Sequence, residues 1–179
     1  MSDKFDKAME FTSKAEGGFT NDSGGKTNFG ITQQTLDQYQ EKMGRKMVSV
    51  NDINPEYAKK IAKDMFFDRV GLDILPEKVA IAVFDYGFNS GPSRAIKDLQ
   101  RVVGTKPDGI IGRKTVSAID GYIARNGEEQ LISKIMGSRR NNYSRLVKSS
   151  PQKYGQYAQG WENRVSGLEQ YLSVLDASP

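Results

Sequence analysis

The feature that most constrains the fold is an almost unbroken apolar stretch near the middle of the chain. It begins three residues after Pro76, runs from Val79 to Phe84 without a polar residue, and continues to Tyr86 and Gly87. A helix that is apolar nearly all round must be covered on several sides to remain in water. We therefore predict that Pro76 opens a central buried helix and that the rest of the chain packs around it.

Apolar residues elsewhere recur at three- and four-residue spacing, which is the period of one helix face. This spacing predicts further helices over 2–16, 32–43, 54–67, 92–103, 114–125, 128–147 and 160–175. We expect Leu36, Tyr39 and Met43 on the buried side of one of them, and Trp161 in the core rather than on the surface as a sugar platform. Because no alternating strand pattern appears, the predicted class is all-α, with at most one small β-hairpin near residues 19–30.

A glycine-rich segment after the first helix carries the candidate chemistry, beginning with Glu16. Gly17 and Gly18 follow it directly and are typical of a helix end. The partial negative charge at a helix C-terminus disfavours a second negative charge, which pushes the Glu16 carboxyl towards its protonated form. A protonated Glu is what general acid catalysis requires. The alternative interpretation of Glu16 is a solvated residue at a helix end.

Three more polar residues of the same segment are candidates. Asp22 lies in the polar sequence Asn-Asp-Ser-Gly-Gly and is expected to stay ionised. Thr27 can present its hydroxyl across a cleft, and we assign the neighbouring Asn28 to substrate binding. The alternatives are a plain turn sequence around Asp22 and a local hydroxyl-to-backbone bond at Thr27.

Composition narrows the chemistry further. The 179-residue chain has neither cysteine nor histidine, which excludes disulfides, thiol nucleophiles, Ser-His-Asp triads and the usual zinc sites. No metal or organic cofactor is implied, and chemistry on carboxylates alone is typical of glycosidases. The formal net charge of +4 suits an anionic polymer such as nucleic acid or bacterial cell wall, although a solvated basic surface explains it as well. Arg139 and Arg140 are expected on such a solvated helix face, or in contact with the acidic groups of the wall.

The chain also has no apolar run of membrane-spanning length and no uncharged signal-peptide core near its start. We therefore expect it to be made in the bacterial cytoplasm without a signal peptide and without stable insertion into a membrane.

The residues of the glycine-rich segment, taken together, carry a family resemblance. Glu16 to Phe19, followed by Asp22, Gly24 to Thr27 and Gly30 to Thr32, resembles the signature of glycoside hydrolase family 108. The members of this family are described as N-acetylmuramidases of phages and prophages and as secretion activators. The resemblance implies a lysozyme-like helical fold and identifies Glu16 as the catalytic residue. The order of Glu16, Asp22 and Thr27 also resembles the catalytic trio of phage-type lysozymes.

A second resemblance covers the C-terminal half. Residues 83–92, 95–100 and 108–115 are similar to the peptidoglycan-binding module that follows the catalytic half in this family. We therefore expect a catalytic half over residues 1–87 and a peptidoglycan-binding half over 88–179, packed as one unit. Tyr86 and Asn89 are further candidates for substrate binding, since sugar sites use aromatic faces and amides. The alternatives are a core role for Tyr86 and a helix-capping role for Asn89.

Together the resemblances imply an endolysin-like muramidase that acts on peptidoglycan as a monomer, without a nucleic-acid partner, after release through a holin or a secretion system. Glu16 would protonate the glycosidic oxygen, while Asp22 with Thr27 would steady the oxocarbenium-like state or the attacking water. Two alternatives stay open: a lytic transglycosylase, which needs only one catalytic carboxyl, and a non-catalytic wall-binding protein that assists secretion.

Overall fold

Helices make up most of the protein in the computed structural model, which describes residues 3–16, 20–22 and 25–175. They are α1 (Asp3–Glu16), α2 (Gln33–Lys42), α3 (Pro55–Ile61), α4 (Glu77–Ser90), α5 (Pro92–Val103), α6 (Arg113–Asn126), α7 (Glu128–Ser149), α8 (Pro151–Tyr154) and α9 (Ala158–Leu175). α3 continues as a wider π-helical segment over Ala62–Asp68, and a 3-10 turn over Gly155–Tyr157 joins α8 to α9. The predicted all-α class is confirmed.

A small antiparallel sheet follows α1. Its strands are β1 (Thr20–Asp22), β2 (Gly25–Asn28) and β3 (Ile31–Thr32), which are adjacent in that order. The predicted hairpin is therefore present and is extended by a short third strand. Phe29 and Gly30 form the turn between β2 and β3, and both have positive φ, at 54° and 80°. The residues predicted to end α1, Gly17 and Gly18, lie outside the described residues.

The predicted central helix is α4, and its burial is confirmed. Every residue from Val79 to Phe88 is buried. α1 packs against one side of α4, while α5 and α7 cover others. Phe5 of α1 meets Phe84 edge-on, with ring centroids 5.7 Å apart. No helix among residues 3–16 and 25–175 is both long and apolar enough to cross a membrane.

The chain reverses direction sharply between α4 and α5. Gly91 has a φ of 96° at this point, and Pro92 opens α5. A Cβ atom at Gly87 would lie 3.1 Å from the Cα of Pro92, so the absence of a side chain at residue 87 lets the two helices approach. α4 continues to Ser90, so the boundary expected after residue 87 falls inside this helix.

The helix starts predicted from capping residues are confirmed, whereas the prediction of burial is wrong at one position. The Thr32 hydroxyl accepts a hydrogen bond from the Thr35 amide at 3.0 Å, and Asn54 caps α3 through the Tyr57 amide at 2.7 Å. Met43, predicted on the buried side of α2, is 43% exposed. It is the C-cap residue, beyond the last helical turn, so the helical period no longer fixes its direction.

The packing around α4 leads to a prediction for a truncated chain. A fragment of residues 1–87 is expected to aggregate, because α4 would lose the cover that α5 and α7 provide and would expose an apolar face. Size-exclusion chromatography and thermal unfolding of the fragment beside the full chain measure this. A soluble, cooperatively melting and enzymatically active 1–87 fragment would show instead that the C-terminal half is a separable module.

Candidate active site

Glu16 is the last residue of α1, and the β2–β3 turn packs against its side chain. A Cβ atom built on Gly30 would lie 3.0 Å from Cγ of Glu16 and 2.4 Å from a ring carbon of Phe88. The bare backbone of the turn therefore fits between the stem of Glu16 and the end of α4. The Glu16 side chain stays 20% exposed.

The carboxylate of Glu16 is paired with an arginine from the far end of the chain. Nη1 of Arg164, on α9, donates to Oε1 of Glu16 at 2.6 Å, and the Arg164 side chain is only 10% exposed. Sequence analysis missed Arg164. The available signal was a cation within the apolar face of Trp161, Val165 and Leu168.

A second carboxylate, Asp85 of α4, holds Arg164 in place. Nε and Nη2 of Arg164 donate to Oδ2 and Oδ1 of Asp85 at 3.1 and 2.8 Å, a bidentate pair. The Thr12 hydroxyl of α1 donates to Oδ1 at 2.7 Å. Burial favours the neutral acid, but Arg164 and Arg139 outweigh it and hold the pKa of Asp85 below its ordinary value. Burial likewise opposes the charge on Arg164, yet Asp85 and Glu16 raise the pKa of its guanidinium, which therefore stays cationic.

Arg139 completes this cluster and corrects a sequence prediction. It was expected on a solvated helix face, but its side chain is fully buried, with Nη1 2.8 Å from Oδ2 of Asp85. Its Nε donates to the Tyr143 hydroxyl at 2.8 Å, and its guanidinium carbon lies 5.4 Å from the ring centre of Tyr86. Among described residues the Nη atoms find no hydrogen-bond acceptor of good geometry, so the ion pair and aromatic faces stabilise the charge. The neighbouring Arg140 is half-buried and pairs with Glu162 and Glu169.

The cluster of Glu16, Asp85, Arg139 and Arg164, called the charge cluster below, joins helices α1, α4, α7 and α9. Two carboxylates face two guanidinium groups, so the charge cluster is neutral when Glu16 is ionised.

The structure gives the predicted loop residues different surroundings. Thr27 is half-buried at the centre of the sheet, opposite Thr20 and Thr32. Asn28 is buried, and its Nδ2 donates to the carbonyls of Val50 and Ile53 at 3.1 and 3.4 Å, which ties the sheet to the segment before α3. For Asp22 the structure describes only the backbone, in β1 opposite Gly25.

The two candidates on α4 also differ from each other. Tyr86 is fully buried, and its hydroxyl donates to Oδ2 of Asp98 at 2.5 Å. A side chain without exposed surface has no face to offer to a sugar, so we do not include Tyr86 in the proposed site. Asn89 is half-buried, and its Oδ1 accepts a hydrogen bond from the Tyr143 hydroxyl. It directly follows Phe88, whose ring meets the turn that packs on Glu16.

The second sequence motif has a structural role. Gln100 of α5 is buried, and its Nε2 donates to Asp108, to the carbonyl of Ile110 and to Thr115 at 3.0–3.1 Å. Its Oε1 accepts from the Gly109 amide at 2.9 Å. One amide side chain therefore organises the loop that leads into α6. The motif around Asp108 and Gly109 is a folded turn, and no three His, Cys, Asp or Glu side chains among described residues form a metal site.

Comparisons with known proteins identify the family of this chain. A family model described as glycosyl hydrolase 108 matches residues 9–91, which contain Glu16 and Asp85. The solved structure of Brucella abortus SagA is 32% identical, covers 95% of this chain and 94% of its own, and superposes with a TM-score of 0.77. The chain belongs to the glycosyl hydrolase 108 family.

This glycosyl hydrolase 108 protein also carries a second family match. The model described as a predicted peptidoglycan domain matches residues 94–166, so the two matches meet at the turn between α4 and α5. No protein of curated function matches the sequence. The chain is therefore a glycoside hydrolase of a family that acts on peptidoglycan.

The contact between Gly30 and Glu16 can be tested with a pair of glycine variants. Gly30 and Gly44 both have positive φ, but a Cβ at Gly44 meets no atom within 4 Å. Both alanine variants share a backbone cost of about 1–2 kcal/mol. Only Gly30→Ala is expected to push on Glu16 and Phe88 and to reduce wall hydrolysis, which turbidity assays measure. Equal activity of the two variants would show that the turn does not position Glu16.

Proposed function

We propose that this glycosyl hydrolase 108 protein is an endolysin-like N-acetylmuramidase that cleaves the β-1,4 bond between N-acetylmuramic acid and N-acetylglucosamine. The observation that carries the proposal is the position of Glu16. It is the Glu of the family motif, its side chain is 20% exposed, and it pairs with a buried arginine. A sheet that carries a second carboxylate, Asp22, follows it in the chain, and two carboxyl groups are what a glycosidase uses.

In the proposed mechanism Glu16 protonates the glycosidic oxygen. Glu16 enters this step in its protonated form, with the proton supplied by solvent. Arg164 keeps its contacts with Asp85 during this step. Once the proton has moved to the leaving oxygen, the new carboxylate regains its pairing with Arg164. Arg164 thus stabilises the conjugate base and is a positioning residue for Glu16.

Hydrolysis also needs a group that steadies the oxocarbenium-like state or the attacking water. We assign this role to Asp22 with Thr27, because both belong to the sheet whose β2–β3 turn packs on Glu16. Asn89 is the proposed substrate-binding amide, held by the Tyr143 hydroxyl. The place of action is the cell wall, reached through a phage holin or a secretion route.

Purified peptidoglycan tests the proposed activity directly. The full-length protein is expected to reduce the turbidity of a suspension of sacculi and to clear peptidoglycan in a gel. A well-folded protein that binds sacculi without releasing soluble fragments would support the non-catalytic wall-binding alternative instead.

Asp22→Asn tests whether a second carboxylate takes part. We expect lower activity, with a smaller loss than for a change at Glu16, because the general acid remains. Hydrolysis rates of the variant and the parent protein on the same sacculi measure the effect. Full activity of Asp22→Asn would exclude the two-carboxylate mechanism and favour a lytic transglycosylase, which closes the muramic 6-hydroxyl onto the anomeric carbon.

A further inference from the structure

Four aromatic rings gather where α7, the α8–α9 connection and α9 meet. Trp161 stacks on Tyr143, with ring centroids 4.5 Å apart and planes 17° from parallel. The rings of Tyr154 and Tyr157 lie 6.1 and 5.7 Å from Trp161 at tilts of 35° and 32°. We call these four residues the aromatic cluster. Three of them, Tyr154, Tyr157 and Trp161, are half-buried and so retain exposed surface.

The exposure of the aromatic cluster distinguishes it from the rest of the α9 core face. Val165, Leu168 and Leu172, which follow Trp161 on the same face, are buried. A cavity of about 390 Å³ lies beside the cluster, between α7 and α9, with Tyr143, Val147 and Trp161 in its wall. This volume falls in the range of small-molecule sites. Half-exposed aromatic rings beside a cavity provide the flat apolar faces on which sugar rings pack.

The charged residues that line the cavity are Arg140, Lys148 and Glu162, so the wall carries a net positive charge that favours an anionic ligand. Lys148 lines the cavity, and Lys153 lies 5.1 Å from the ring centre of Tyr154. Both lysines are exposed, and neither has an ion-pair partner in the part of the chain that the structure describes. Arg140 is committed to Glu162 and Glu169. Peptidoglycan combines sugar rings with the carboxylates of its lactyl groups and peptides. It therefore matches both the aromatic rings and the positive charge at this cavity.

The aromatic cluster is also continuous with the candidate active site. Trp161 precedes Arg164 by three residues on α9, a rise of about 4.5 Å along one helix face. Arg164 contacts Glu16, and Tyr143 donates to Asn89 at the end of α4. The aromatic cluster therefore lies about one turn of α9 from the arginine that contacts Glu16.

We propose that the aromatic cluster is a glycan subsite, which binds sugars of the peptidoglycan strand beyond the bond that is cleaved. The proposal rests on the proposed function, because it takes its ligand from the same substrate. Lys148 and Lys153 supply the cations that face the acidic groups of the wall. The match of residues 94–166 to a peptidoglycan domain includes the whole aromatic cluster and agrees with this assignment.

Trp161 is the only tryptophan in the sequence, so its fluorescence reports on the subsite without a label. The full-length Glu16→Gln protein is titrated with soluble glycan strands prepared from sacculi by amidase treatment. We expect a saturable change in Trp161 emission. In the same background Tyr157→Ala is expected to raise Kd about tenfold, while Tyr157→Phe, which keeps the ring, stays within about twofold.

A charge-matched pair on α7 separates the lysine contribution from general electrostatics. Lys148→Ala is expected to raise Kd severalfold, whereas Lys134→Ala, which removes an exposed lysine of the same helix away from the cavity, leaves Kd unchanged. Thermal unfolding of each variant checks its fold. If Tyr157→Ala does not fold, the Kd values of Lys148→Ala and Lys134→Ala test the subsite.

An absence of saturable emission change would overturn the subsite, as would equal Kd values for Lys148→Ala and Lys134→Ala. A cluster built for a protein partner or for a second copy of the chain would give this result. The outcome is separable from the proposed function. If Glu16→Gln loses hydrolysis and the titration shows no saturable change, the muramidase proposal stands and the subsite is excluded. If Glu16→Gln stays active and the titration saturates, the subsite stands and the role of Glu16 is excluded.

Discussion

Glu16→Gln is expected to lower the rate of peptidoglycan hydrolysis by about a hundredfold or more. Gln has nearly the same shape and its amide oxygen can still accept from Arg164, but it has no proton to give to the glycosidic oxygen. The fold is expected to persist, because Glu16 is partly exposed and Arg164 keeps both bonds to Asp85. The loss therefore falls on catalysis. Initial rates on sacculi, together with the melting temperature, measure the two effects separately.

Glu41→Gln is the matched control for this change. Glu41 is exposed near the C-terminal end of α2, so the same chemical replacement is expected to leave activity unchanged. Near-normal hydrolysis by a folded Glu16→Gln protein would remove Glu16 from the role of general acid. Equal losses in both variants would point to a nonspecific effect of surface charge on binding to the wall.

Asp85→Asn is expected to give the largest loss of stability of any single change considered. It leaves Arg139 and Arg164, which are 0% and 10% exposed, without their shared anion. Removing one partner of a buried ion pair costs about 3–5 kcal/mol, a large part of the roughly 5–15 kcal/mol that holds a typical domain together. Denaturant unfolding of Asp85→Asn is expected to show this loss. Asp120→Asn, at an exposed position on α6, is expected to stay within about 0.5 kcal/mol of the parent protein.

The Asp85 carboxylate also makes the stability of the parent protein depend on pH under acidic conditions. The pKa of Asp85 is lower in the folded than in the unfolded state, so its contribution to stability is present above the unfolded pKa, about 4. That contribution is lost as the pH falls through the folded pKa. The parent protein is therefore expected to lose stability below about pH 4, with a weaker dependence in Asp85→Asn. Identical pH profiles, or an Asp85→Asn protein as stable as its parent, would show that the ion pairs contribute little.

The helices of this protein follow from local patterns in the sequence. The apolar stretch after Pro76 predicts a helix buried on all sides, and Thr32 and Asn54 mark helix starts because their side chains cap the free amides that follow. The prediction that Met43 is buried is wrong, also for a local reason. It lies one residue past the end of its helix, where the period no longer determines which side is buried.

The charge cluster depends on contacts that the sequence does not specify. Asp85 interrupts an apolar helix, and a buried carboxylate needs a cation. The chain offers 26 Lys and Arg side chains. Arg164 lies within the apolar face of its helix, but nothing in the sequence pairs it or Arg139 with Asp85. These two arginines belong to α7 and α9, so only the packing of both helices on α4 brings them to Asp85 and brings Arg164 to Glu16. Arg139 and Arg140 were predicted together on one solvated helix face or in contact with the wall, but adjacent helical residues point in different directions.

The central claim is that Glu16 delivers a proton to the bond between N-acetylmuramic acid and N-acetylglucosamine, and that water completes the reaction. Mass spectrometry of the soluble products from purified peptidoglycan tests it most directly. The expected products are disaccharide peptides with a reducing N-acetylmuramic acid end, absent from a digest with Glu16→Gln. Anhydro-muramic ends would identify a transglycosylase, reducing N-acetylglucosamine ends would identify the other glycosidic bond, and undigested strands would contradict an enzymatic role.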